Sequence, residues 1–118
     1  MENSKLAIAA LFLALVAGTT TAEAHARLDH ASPAVGSTVS ASPGQVTLFF
    51  TEALEPKFSG AEVRNSAGAR VDAGSSASGN TLHVSVKSLG SGAYAVNWHV
   101  LSVDTHKTQG SFSFRVSN

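Results

Sequence analysis

Five histidines, His25, His30, His83, His99 and His106, are the residues of this 118-residue chain best suited to coordination chemistry. Their placement decides which of them could act together. His106 stands in "LSVDTHKTQG", two residues after Asp104. In an extended segment, residues two apart project to the same side. Asp104 and His106 therefore offer one anionic oxygen and one imidazole nitrogen together, with Thr105 turned away. Such a D-x-H pair can serve a metal ion, but on spacing alone it better fits a hydrogen-bonded couple that steadies a loop. His25 changes the balance. It follows the small-x-small triplet Ala22-Glu23-Ala24, and a cut after Ala24 makes it the first residue of the working chain. A first-residue histidine gives one ion both its free amine and its ring Nδ1, in a six-membered chelate. With His106 and Asp104 added, three nitrogens and one oxygen form the near-square donor set that Cu(II) prefers. Cu(II) also heads the divalent affinity series.

The other histidines read as surface residues. His83 and His99 each sit between core-facing neighbours on a strand, which aims both at solvent. His30 lies where a first short strand meets its turn. An amino-terminal copper motif with histidine third is excluded, because the third residue after the cut is Arg27. Cysteine is absent, which removes disulfides, thiolate metal sites and cysteine nucleophiles together. The single methionine is Met1, lost with the leader, so a Cu(I) site built on soft sulfur is excluded as well.

The leader carries its own signature. Lys5 and the amino terminus are positive, and Leu6 to Gly18 form an apolar run of 13 residues. That run is too short to cross about 30 Å of hydrocarbon as a helix. Residues 1–24 are expected to be a signal peptide and residues 25–118 one exported domain. An uncleaved membrane anchor is the other reading, and cuts after Ala22 or Ala26 compete with the one after Ala24. Lys and Arg number eight, as do Asp and Glu. Removing Lys5, Glu2 and Glu23 leaves seven basic and six acidic residues. A chain so close to neutral makes no electrostatic case for nucleic acid.

The elements that must position these ligands are strands. No helix-length amphipathic pattern follows residue 25. "QVTLFFT" puts Val46, Leu48 and Phe50 on one face, and "TLHVSV" does the same with Leu82, Val84 and Val86. "GSGAYAVNWHV" aligns Tyr94, Val96, Trp98 and Val100, while "GSFSFRV" aligns Phe112, Phe114 and Val116. Val63 and Val71 flank a hairpin turn at Asn65 to Gly68. Ala31 to Gly44 reads as a long turn-rich connection, Gly74 to Asn80 as a loop, and Leu101 to Gly110 as the connection between the last two strands. Many short strands with turn chemistry between them predict an all-β antiparallel sandwich or barrel. Trp98 is expected at the centre of its core.

At this point the spaced residues Tyr94, Val96, Trp98, Ser102, Asp104, His106, Gly110, Phe114 and Val116 resemble the C-terminal signature of the CopC family of periplasmic copper-binding proteins. "HASPAVGS", "LFFTEAL" and "FSGAEV" are similar to that family's earlier segments, so the resemblance spans nearly the whole processed chain. It implies an immunoglobulin-like Greek-key sandwich of about seven strands. It implies a soluble periplasmic carrier, not embedded in the membrane after cleavage, that hands copper to a CopD-type inner-membrane transporter. The implied Cu(II) ligands are His25, through amine and imidazole, with Asp104 and His106. Glu52 matches an acidic position near the site in some members. The methionine-rich segment of other members is missing, so a Cu(I) relay is not implied.

Two further readings compete with a carrier that has no catalysis. Copper held by a terminal histidine and another imidazole can activate oxygen in polysaccharide oxygenases. Here Asp104 is expected to fill a fourth equatorial position, and the Trp and Tyr of the processed chain point inward, leaving no aromatic platform for sugar. The third reading is a metal-free immunoglobulin-like interaction module, favoured if the processed chain starts anywhere but His25.

Overall fold

The structure, a computed structural model, describes residues 26–118. Eight strands build two facing four-stranded sheets. One contains β1 (Leu28–Ser32), β3 (Gln45–Phe50), β6 (Thr81–Val86) and β5 (Asp72–Ser78), in the spatial order β1-β3-β6-β5. The other contains β2 (Thr38–Val39), β8 (Lys107–Val116), β7 (Gly92–Leu101) and β4 (Gly60–Asn65), in the order β2-β8-β7-β4. The pairings are antiparallel apart from the short parallel match of β2 with β8. This is an all-β sandwich of two sheets, as the alternating pattern predicts.

Period-two patterning explains the core. Val46, Leu48 and Phe50 of β3 and Leu82 and Val84 of β6 are buried, and they face Val63 of β4, Val96 and Val100 of β7, and Phe112, Phe114 and Val116 of β8. Each such side chain stabilises the fold by about 1.5–3 kcal/mol relative to exposure. Tyr94 stacks on Phe114, and its hydroxyl donates to the Gly90 carbonyl at 2.6 Å, so its polar end is satisfied.

The described residues form eight strands, in keeping with the expected sandwich of about seven, the two-residue β2 lying inside the segment read as connection. Three expectations are corrected. The Gly74–Asn80 segment is not all loop: β5 runs to Ser78, and the turn into β6 is confined to Gly79 and Asn80. Backbone pairing with β6 needs no bulky side chain, so a Gly/Ser-rich edge strand leaves no apolar signature. The connection between β7 and β8 is shorter than expected, Ser102 to His106. Trp98, finally, is only partly buried and packs against the rim of the core, edge-on to Phe50 at 5.0 Å between ring centroids. Its partner across the β7–β8 ladder is Gly110, whose missing side chain lets the indole lie over the backbone.

Candidate metal centre

β7 and β8 form the longest hairpin of the fold, paired without a break from Gly92↔Val116 to Leu101↔Lys107. Beyond that last pair the chain turns through Ser102, Val103, Asp104, Thr105 and His106. The backbone closes the turn twice: the Ser102 N–H donates to the His106 carbonyl at 3.0 Å, and the Thr105 N–H donates to the Ser102 carbonyl at 2.8 Å. A neighbouring segment straps it from the side. The Val103 N–H donates to the Ala53 carbonyl at 3.0 Å, and the Glu55 N–H to the Leu101 carbonyl at 2.8 Å.

Asp104 and His106 meet within this turn. His106 Nδ1 lies 3.3 Å from Asp104 Oδ1, and both side chains are substantially exposed. They do so for a different reason from the expected one. The segment is not extended: Thr105 adopts a left-handed φ of 74°, and that reversal brings its two neighbours together. Left-handed geometry is unfavourable for a β-branched residue and persists where the surroundings impose it. Here the hydrogen bonds of Ser102 impose it.

Ser102 is completely buried. Its hydroxyl donates to Asp104 Oδ1 in a short hydrogen bond and lies 3.2 Å from the His106 carbonyl. Together with His106 it holds the Asp104 carboxyl below the usual carboxylate range, the Ser102 hydrogen bond being the larger cause. The carboxylate is therefore ionised at neutral pH and available to a cation.

The amino-terminal end of the described chain arrives at the same place. Ala26 is fully buried, and its carbonyl accepts a hydrogen bond from the Thr108 hydroxyl at 2.8 Å. Thr108 is two residues beyond His106. The next residue, Arg27, exchanges hydrogen bonds with Thr51: its N–H donates to Thr51 Oγ1 at 3.0 Å, and the Thr51 N–H donates to its carbonyl at 2.9 Å. Glu52 sits between Thr51 and Ala53, hence at this same end of the sandwich, half-buried. His25 and the proposed leader 1–24 lie outside the described residues.

The remaining histidines lie elsewhere. His30, exposed, stacks flat on Phe49 at 4.2 Å, with its Nδ1 2.7 Å from Asp29. His83 is half-buried on β6 and its Nδ1 is 2.5 Å from Gln45 Nε2. His99 is exposed on β7 and packs over Gly60. Among the described residues, no three His, Cys, Asp or Glu side chains gather round one point. Asp104 and His106 supply two donors, and a tight cupric site needs more. Sequence reasoning missed Thr108 altogether, since a threonine on a strand carries no signal. Ser102 stood in the spaced signature, yet only the fold shows what its hydroxyl touches.

Comparison with known proteins bears on the family. A family model described as the CopC domain matches residues 28–117. Protein YobA of Escherichia coli (strain K12) is 36% identical over 120 residues, covering 98% of this chain and 95% of that protein. Copper resistance protein C of Xanthomonas campestris pv. juglandis is 36% identical over 121 residues, covering 94% of each. Copper transport protein CutJ of Bacillus subtilis (strain 168) is 32% identical over 111 residues, which are 90% of this chain but only 20% of that protein. Among solved structures, CopC from Methylosinus trichosporium OB3b superposes with a TM-score of 0.75 at 33% identity, covering 79% of this chain and 94% of that one.

Proposed function

This chain belongs to the CopC family, and on that premise we propose that it is a periplasmic Cu(II) carrier. Residues 1–24 are its signal peptide, and His25, Asp104 and His106 are its copper ligands. The observation that carries the reading is the hydrogen bond from Thr108 to Ala26. It ties the residue next to His25 to the strand that begins at the Asp104–His106 turn. Adjacent Cα atoms are about 3.8 Å apart, so cleavage after Ala24 frees an amine within a few ångströms of Ala26, which is fixed against Thr108 two residues beyond the turn. The amine and ring of His25 would complete the donor set that the turn leaves at two.

The copper here is cargo. Asp104 contributes negative charge and His106 a nitrogen at an exposed tip, where a partner's ligands can approach the ion. A carboxylate in the fourth position favours Cu(II) over Cu(I), which counts against redox cycling and for a carrier without catalysis. The longer Bacillus relative is a copper transport protein of which the similar segment is one fifth, and this supports hand-over to a membrane transporter of the CopD type.

The test uses the exported protein after natural processing. Mass spectrometry should find His25 first, and a Cu(II) titration should find one tight site. His106→Ala should weaken binding by orders of magnitude, and His83→Ala should leave it unchanged. A processed chain starting at Arg27, or equal binding by both variants, would refute the assignment.

A further inference from the structure

We propose that Ser102 is the positioning residue of the copper site: its buried hydroxyl sets the Asp104 carboxylate in the orientation from which it meets the ion. The inference rests on the copper reading above and deepens it. An exposed aspartate rotates freely, and each rotamer lost on binding an ion weakens that binding. Asp104 is exposed, but the group that holds it is not: Ser102 has no accessible surface. The Ser102 hydroxyl has one proton. It goes to Asp104 Oδ1, which makes the short contact, rather than to the His106 carbonyl at 3.2 Å, which the Ser102 N–H already serves at 3.0 Å. Ser102 thus holds Asp104 Oδ1 from the buried side, while His106 meets the same carboxylate from the exposed side. Hydrogen bonding to a ligating carboxylate from the next layer out is a general means of orienting metal ligands, and its loss typically weakens binding ten- to a hundredfold.

Ser102 differs from a residue that only shapes the turn. Two backbone hydrogen bonds, from Ser102 N–H and to the Ser102 carbonyl, survive replacement of its side chain. Ser102→Ala should therefore keep the turn and loosen the carboxylate, leaving it the weaker hold of His106 alone.

The experiment compares exported, processed wild type with Ser102→Ala, Asp104→Ala and the double variant. In the copper-free proteins, NMR couplings should show one Asp104 χ1 rotamer in wild type and averaging in Ser102→Ala, with the amide shifts of residues 102–106 otherwise kept. Cu(II) affinity should fall about ten- to a hundredfold in Ser102→Ala, with a changed electron paramagnetic resonance signature. The double variant should bind no worse than Asp104→Ala alone, because Ser102 acts through Asp104. Additive losses, an unchanged Ser102→Ala, or collapse of the turn's amide shifts would each overturn the positioning role while leaving the copper site in place. A wild-type protein that takes up no Cu(II) would overturn the copper reading and this inference with it.

Discussion

At the scale of single residues, the candidate centre depends on two hydroxyl groups that are not themselves ligands. Ser102 orients the carboxylate, and Thr108 fixes where the amino-terminal strand enters. Thr108→Val keeps the branched shape and removes the donor to the Ala26 carbonyl. One such hydrogen bond contributes about 1 kcal/mol. The expected result is a five- to tenfold weaker Cu(II) site, roughly, in a protein whose Asp104–His106 turn gives unchanged NMR shifts. Asp104 and His106 were legible in the sequence as a pair because their spacing is short and their chemistry complementary. The route by which they meet was not, since nothing about a threonine announces a φ of 74°.

At the scale of elements, the β7–β8 ladder carries the site, and its regularity depends on a mismatch of sizes. A Cβ added at Gly110 would stand 2.6 Å from the Trp98 ring, closer than real contacts allow. Gly110→Ala must therefore push the indole out of its place beside Phe50. Overpacking of this kind costs about 1–3 kcal/mol, so thermal unfolding should move to lower temperature, with a shift in Trp98 fluorescence. The buried indole N–H has no hydrogen-bond partner among the described residues, so the ring is held by packing rather than by a polar anchor. Strands β3, β6, β7 and β8 could be read from the sequence because one of their faces is uniformly apolar. β5 could not: its Gly74, Ser75, Ser76 and Ser78 are all exposed, and only backbone pairing makes them a strand. The length of β8 was hidden similarly, because Lys107, Gln109 and Gly110 resemble loop residues and are held by the register of β7.

At the scale of the whole molecule, no disulfide joins the two sheets, and part of that work falls to Asp72. Its buried carboxylate, at the start of β5, accepts the Val63 N–H of the opposite sheet at 2.9 Å. It also takes a two-pronged contact from Arg70, at 2.8 and 3.2 Å. The Arg70 hydrogen bond is the main reason its pKa falls from 3.8 to about 2. A carboxyl whose folded pKa is depressed contributes stability above its unfolded pKa and loses it as pH falls through the folded value. Asp72 should supply about 2 kcal/mol near neutral pH, lost between about pH 4 and pH 2. Asp72→Asn should flatten this part of the acid limb in urea unfolding while lowering stability at pH 7. The same architecture separates the two ends of the described residues. β8 starts beside Ala26 and runs ten residues, about 33 Å, before the Asn118 N–H meets Ser91 Oγ at 3.1 Å. A tether fastened behind Asn118, whether to a bead, a dye or another polypeptide, would leave the Asp104–His106 tip facing outward. The same load placed ahead of Ala26 would cork it.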